Sequence, residues 1–303
     1  MSVYVEQFQT PSYFKNSDSW TILSKIEACI KSKIEAIGKP LKEWDININR
    51  GILTGLNEAF IISTETRNSL IAADPKSAEI IRPILRGRDI SRFNYNFAGL
   101  WLLFIPWHFP LQNDNSITGA STLAEERFKV NYPAVYNHLL QYKPKLENRN
   151  KAETGIRYEW YALQRWGAKY VNDFSKQKIV FQEMVQSPCF CLDSDKHFML
   201  LDTGRIITGE HLEYLLCLLN STLFFFAIKH FYGGGALGEK GVRMKHTFFE
   251  KFNAYVPTAE EEHTLSELIK NDISPDTSRI IDNFFYNVYG LSSEEIKFLE
   301  NQL

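Results

Sequence analysis

No C-x-x-C pair joins the chain's four cysteines, Cys29, Cys189, Cys191 and Cys217. Zinc ribbons and dithiol redox motifs need that spacing, so the thiols are expected reduced, in or near a core. The histidines are scattered, with no H-E-x-x-H and no pair at helical ligand spacing, which removes the common zinc hydrolase pattern. No G-x-S-x-G elbow is present. Gly233 and Gly238 have the separation of a phosphate loop, but Glu239 stands where its lysine belongs and no hydroxyl follows Lys240. The same glycines follow a helix rather than a strand, against a dinucleotide fingerprint. Glu183 is followed by Met184 and Val185, so a nuclease Glu-x-Lys strand is missing. Asp193, Asp195 and Asp202 around His197 read as a solvated turn rather than a metal cluster.

Long apolar runs are scarce too. The longest, Leu212 to Ile228, is interrupted by Glu213, Asn220, Ser221 and Thr222, too polar for a membrane span and suited to a buried helix. Met1–Pro11 lacks the charged and apolar regions of a signal peptide, so the expected location is the cytoplasm, with no membrane partner. Neither internal repeats nor low-complexity segments stand out.

Aromatics and a divided charge are what is present. Ten acidic against three basic residues from Ala259 onward put that segment at −7; the whole chain is −2, which leaves +5 for the rest. A mildly basic body with an acidic helical tail has one face for a polyanion and another for a protein. The 303 residues suffice for one large domain or two modest ones.

Apolar spacing predicts a helix over Ser17–Gly38; further helices are expected over Thr64–Ala73, ended by Asp74-Pro75, over Ser77–Leu85 and Leu123–His138, with Pro133 opening a new turn, and a long one over Glu210–Lys229. The tail is expected helical over Glu260–Lys270, Asp276–Tyr289 and Ser293–Leu303, with Ser292 as a start signal. Strands are expected at Trp44–Ile48, Leu100–Pro106, Ile179–Met184, Cys189–Leu192 and Ile206–Thr208. Gly51–Ile62 reads as strand, turn and strand, and Val242–Phe248 and Phe252–Val256 as extended. Without a regular βαβ rhythm the fold class is α+β: a mixed or antiparallel sheet with flanking helices and a small helical tail. The domain division is 1–257 for the body and 258–303 for the tail.

Arginines, lysines and aromatics crowd the loops. Arg82, Arg86, Arg88 and Arg92 share one segment broken by Gly87. Arg149, Lys151 and Arg157 flank Trp160 and Tyr161; Arg165, Trp166 and Lys169 follow. Lys240, Arg243 and Lys245 follow the glycine loop. Guanidinium forks suit phosphates and the acceptor edge of guanine, and loops let them reach into a groove. Trp160 and Trp166 read as core rather than stacking platforms.

Several segments in order carry a resemblance: Lys39–Ile48 running into Arg50-Gly-Ile-Leu-Thr-Gly-Leu-Asn-Glu-Ala-Phe-Ile-Ile62; Ile81-Arg-Pro-Ile-Leu-Arg-Gly-Arg-Asp-Ile-Ser-Arg92; Lys178–Glu183; Ile206–Gly209; Tyr214–Phe224; and the glycine loop with Val242-Arg-Met-Lys245. Together, from about residue 39 to 257, they resemble the TaqI-like C-terminal specificity domain of single-chain restriction–modification enzymes and related adenine-N6 DNA methyltransferases. The resemblance implies a target-recognition domain that contacts double-stranded DNA and works beside a methyltransferase or endonuclease catalytic domain or subunit. S-adenosylmethionine and magnesium then belong to that catalytic part, with no cofactor expected here. The Asn-Pro-Pro-Tyr of such methyltransferases is absent, and the reading is of a chain with no catalytic centre of its own. Either a fragment or a separate specificity subunit fits. Arg86, Arg88 and Arg92 are the expected DNA contacts, with Arg165 and Lys169 beside them. Lys240, Arg243 and Lys245 form a second clamp, with its loop ordering on DNA. Thr54 and Asn57 are scaffold or phosphate and base contacts. The alternative reading is an assembly module docking catalytic subunits through its acidic tail and the Leu212–Phe226 helix.

Overall fold

The computed structural model describes residues 23–233, 241–270 and 273–302. They form two compact units. A central unit comprises Asn47–Gln182 and Cys191–Thr208. A terminal unit takes residues 23–46, Glu183–Phe190 and the described residues of Gly209–Leu303. The acidic tail after Pro257 therefore falls in one unit with the segments before it, rather than standing apart.

Two four-stranded sheets build the central unit. Their strands are β1 (Ile46–Arg50), β2 (Ile61–Ser63), β3 (Ile81–Leu85), β4 (Leu100–Leu103), β5 (Lys178–Gln182), β6 (Phe190–Asp193), β7 (Met199–Leu200) and β8 (Gly204–Gly209). One sheet has the order β6-β5-β8-β1, the other β7-β3-β4-β2. β8 runs antiparallel to β5, with Arg205 opposite Phe181 and Ile207 opposite Ile179. β4 is antiparallel to both β2 and β3, and β7 is parallel to β3. Mixed pairing with separate helices is the expected α+β class.

The segment after β1 joins the two sheets. Gly51 N–H donates to the Gly204 carbonyl at 3.2 Å and Ile52 N–H to Leu200 at 2.6 Å. Leu53 and Arg165 exchange two backbone bonds of 3.0 and 2.9 Å. A Cβ on Gly51 would lie 2.0 Å from the Leu201 carbonyl oxygen, so only glycine admits this approach. Gly55, at φ +78°, turns the chain as expected, but a helical turn at Asn57–Phe60 replaces the simple link before β2.

Three other expectations change. The Ser77–Leu85 helix is a 3₁₀ turn, Pro75–Ile80, followed by β3. Its Ile80, Ile81, Ile84 and Leu85 have helical spacing, yet β3 pairs with β4 and buries Ile84 and Leu85 fully. Tertiary pairing here overrides a local period. The long Glu210–Lys229 helix is two, Leu212–Leu219 and Thr222–His230, bent by 64°. The Asn220 side chain donates to the Phe190 carbonyl and accepts the Phe190 N–H, while the Ser221 hydroxyl caps the second helix. Val242–Phe248 is extended only at Val242–Arg243, then makes a helical turn at His246–Phe249.

The first helix runs Lys25–Ala36 behind a Ser24 and Glu27 capping box; residues 17–22 of its expected span lie outside the described residues. The tail helices Ala259–Leu268, Pro275–Val288 and Ser293–Glu300 pack on the bent pair. Leu265, Ile281, Phe285 and Leu299 are buried there. Burial of large apolar side chains, each about 1.5–3 kcal/mol, thus consumes the Leu212–Phe226 surface inside this unit, against its use as an outward docking face. Among the described residues no single helix is long and apolar enough to cross a membrane.

Candidate nucleic-acid interface

In the central unit, a pocket of about 430 Å³ opens beside the Gly51–Leu53 segment. Its walls are aromatic and its charges are mostly positive. Trp107, Trp166 and Tyr170 supply rings; Arg50, Arg165 and Lys169 supply cations against the single carboxylate of Asp202.

Each wall has a local cause. Trp107 is anchored by its indole N–H, which donates to the Leu163 carbonyl at 2.8 Å, and its ring stacks on Tyr158 at 4.8 Å. Next to it, His108 sits at φ +61°, held by the buried Glu159 carboxylate, which accepts its backbone N–H at 2.8 Å and lies 3.1 Å from its Nδ1. The Arg165–Tyr170 loop starts from the backbone exchange with Leu53. It reverses at Gly167, φ +76°, where Tyr170 N–H returns to the Gly167 carbonyl at 2.8 Å. The Tyr170 ring fills the space a Gly167 side chain would need, 2.9 Å from the Cβ position. Burial pushes the Tyr170 phenol up, against the pull of Arg50 and Arg205.

The expected contact residues divide by what already holds them. Arg86 forms a bidentate pair with Asp89, Nη2 to Oδ1 at 2.6 Å and Nε to Oδ2 at 2.9 Å, across the Gly87–Asp89 turn. Glu153 takes Arg165 at 2.7 Å and also Arg157 at 2.8 Å. In the terminal unit Arg243 pairs with Glu183 at 3.1 Å. Arg88, Lys169 and Lys245 are exposed and form no ion pair among the described residues. Arg92 is half-buried, its guanidinium 5.5 Å from the Phe93 ring. Lys240 lies outside the described residues.

Thr54 is scaffold: it is 1% exposed and its hydroxyl donates to Asn57 Oδ1 at 2.6 Å. Its hydroxyl is thereby withdrawn from a DNA surface, and Asn57, though exposed, is its partner in the turn. Arg149 is a brace rather than a surface cation. Its guanidinium donates to the carbonyls of Thr54, Trp160 and Ala162 and lies over the rings of Phe60 and Tyr158. Burial without a carboxylate pushes it down to about 10. Trp160 is core as expected, at 5% exposure, whereas Trp166 stands in the pocket wall.

The pocket therefore brings Arg165 and Lys169 together and adds Arg50, Trp107, Trp166 and Tyr170. Arg50 stood directly before Gly51 in a conspicuous segment, and that adjacency was the available signal. Trp107 carried none, because residues 107 and 166 meet only through the fold. No group of three His, Cys, Asp or Glu side chains among the described residues is placed to hold a metal ion.

Comparison with known proteins finds similarity to restriction–modification enzymes. The type II methyltransferase M.MjaIV of Methanocaldococcus jannaschii is 25% identical over 261 residues, 84% of this chain and 74% of that protein. The type IIL restriction-modification enzyme MmeI, solved in complex with DNA, matches 87% of this chain with a TM-score of 0.51 at 13% identity. The type IIG restriction endonuclease BpuSI matches 91% with a TM-score of 0.50 at 12% identity. The chain spans 36% and 31% of those two solved chains, about a third of each. No family model matches it. A relationship to restriction–modification proteins thus stands on the sequence match, with a shared fold beside it; the narrower likeness to the TaqI-like specificity domain has no family match behind it.

Proposed function

We propose that this chain is the sequence-recognition module of a type II restriction–modification enzyme or adenine-N6 DNA methyltransferase, acting on DNA beside a catalytic part carried elsewhere. The observation that carries the reading is the pocket of the central unit, where three cations and three aromatic rings face one opening with one carboxylate among them. Cations neutralise phosphates and fix register, while ring faces and guanidinium forks meet bases. MmeI, similar in fold over most of this chain, was solved in complex with DNA.

Three features support leaving methyl transfer to another part. The sequence has no Asn-Pro-Pro-Tyr to hold a flipped adenine's amino group. Its sheets are mixed, without the parallel doubly wound core and glycine turn that suit an adenosine cofactor. Among the described residues the carboxylates and histidines do not converge on a metal. In this reading S-adenosylmethionine and magnesium belong to that other part. The name of the methyltransferase relative points the other way, and an assay decides between them.

The test is selection from randomised duplex DNA at low salt, followed by sequencing, with methyl transfer from labelled S-adenosylmethionine measured on the same protein. One enriched motif, lost when Arg88 and Lys169 are both changed to alanine, and no methyl transfer are the expected results. Methylated DNA from the purified chain would overturn the non-catalytic part of the reading. Absence of binding at any salt would overturn the recognition part.

A further inference from the structure

The geometry points to one nucleotide, unstacked from its neighbours in the DNA, as the occupant of the Trp107–Trp166–Tyr170 pocket. This rests on the DNA-recognition reading and specifies what that site takes.

Size comes first. At about 430 Å³ the pocket lies in the roughly 300–1,000 Å³ range of small-ligand sites. That volume is of the order needed for one ring system with its sugar and phosphate.

Its chemistry then selects among small ligands. Trp166 makes one ring contact, edge to face with Phe104 at 6.4 Å, so no ring stacks on its faces among the described residues. Tyr170 touches Phe174 in a tilted contact at 6.4 Å and is likewise unstacked. Half-buried indole and phenol rings at the pocket wall, without a stacked aromatic partner among the described residues, suit any nucleobase, because every base has a π-face. An aromatic cage for a quaternary ammonium is the rival for such walls. It is opposed by Arg50, Arg165 and Lys169, which make the opening cationic. Arg50 and Lys169 are exposed, have no ion pair among the described residues and are placed for a phosphate. Gln112 and the Asp202 carboxylate add both donor and acceptor capacity for a base edge. In a DNA ligand, the unit that offers an aromatic ring, a hydrogen-bonding ring edge and a phosphate together is a nucleotide.

Two sources share that chemistry: a nucleotide extruded from DNA and a free mononucleotide. Both are tested on the full chain. A duplex with one bulged 2-aminopurine is compared with the same duplex fully paired, by affinity and by 2-aminopurine fluorescence. In parallel, dAMP and inorganic phosphate are titrated while the indole ¹⁵N signal of Trp166 is followed, assigned with Trp166→Phe. The bulged duplex is expected to bind about 5- to 150-fold tighter than the paired one, the range of one base–aromatic stack, with fluorescence quenched. Trp166→Ala brings that ratio toward one. Lys169→Glu, a change at an exposed side chain, reduces it too and covers the case in which the tryptophan variant fails to fold.

Equal affinity for bulged and paired duplex, with no response to dAMP, would overturn the pocket assignment while leaving DNA recognition intact. A Trp166 response to dAMP without bulge preference would make the ligand a free nucleotide and overturn the DNA source. A response to phosphate equal to that for dAMP would reduce the site to an anion subsite. Failure of both duplexes to bind at any salt would remove the recognition reading itself.

Discussion

Lys178 Nζ lies 2.5 Å from Asp193 Oδ2 with both side chains fully buried, so an ion pair stands in the core of the central unit. The ammonium also donates to the Phe174 carbonyl at 2.7 Å. The carboxylate accepts the Lys196 N–H on one oxygen and the Phe198 N–H on the other, each at 3.1 Å. Burial pushes the lysine down and the Asp193 carboxylate pulls it back. The pair ties β5 to the end of β6, and Asp193 braces the turn that follows, whose residues Ser194, Asp195, Lys196 and His197 are exposed as its composition suggested.

Breaking this pair from one side leaves an unpaired buried charge. Lys178→Met is expected to cost about 3–5 kcal/mol of stability, read as a lower thermal midpoint of the full chain. Lys178→Met with Asp193→Asn is expected to recover part of that loss, because no net charge then stays buried. A double variant as unstable as the single one would mean that the lysine's bonds to backbone, not the charge pairing, carry the effect.

Arg88 and Arg86 sit two residues apart, yet only Arg86 is held by a carboxylate. Arg88→Ala is therefore expected to weaken duplex binding and lower the slope of log affinity against log salt by about 0.9, one phosphate contact. Arg86→Ala removes a guanidinium but also leaves Asp89 uncompensated, and its loss of affinity is expected to be the larger. Fluorescence anisotropy over a salt series measures both.

Glu153 occupies Arg165 and Arg157 together, and the Arg165 hydrogen bond above all holds its carboxyl below the usual range. A phosphate approaching Arg165 must displace that carboxylate. Glu153→Gln is expected to tighten duplex binding several-fold at low salt, with the gain shrinking as salt screens it. Weaker binding would show that the carboxylate orients the arginine for its contact.

Glu295 is expected to make the last helix sensitive to acid. Burial alone would raise its carboxyl, but Lys33 at 2.6 Å, the Ser292 N–H and hydroxyl, and the Cys29 thiol outweigh that and hold it at about 2. A folded value below the ordinary 4.5 means the stabilisation is present above pH 4.5 and is lost as pH falls towards 2. Glu295→Gln is expected to lower stability by on the order of 2 kcal/mol at neutral pH and to flatten the acid limb. Amide exchange in the Ser293–Glu300 helix at pH 7 and pH 3 measures this.

Local signals accounted for much of the architecture. The Thr64–Ala73 helix starts at the Ser63 cap and ends as expected at Asp74-Pro75, and Pro133 opens the Pro133–Leu140 helix because its missing N–H is no loss at a first turn. Ser292, three residues before Glu295, starts the last helix through a capping box. These depend on contacts within one turn of chain, which sequence spacing reports directly. The α+β class followed similarly, from strands and helices that alternate without rhythm.

The site was legible only in part. Arg165 and Lys169 were singled out because cations on a loop are visible as such. That Arg86, Arg165 and Arg243 would each meet a carboxylate was not visible beyond Arg86, whose partner is three residues away; Glu153 and Glu183 stand 12 and 60 residues from theirs. Thr54 and Arg149, 95 residues apart in sequence, look as available as their neighbours, and only the fold brings them into contact.

By itself, the sequence determined some of the helix starts and stops, such as Ser292, Pro133 and Asp74-Pro75, and the charge contrast between body and tail, since each is a property of neighbouring residues. Only the tertiary structure decided that the long apolar helix breaks at Asn220, that Lys178 and Asp193 pair in the core, and that Arg50, Trp107 and Trp166 line one pocket. Each of those rests on partners distant in sequence. Their pairing is set by burial and by the demand that every buried charge and amide find a partner.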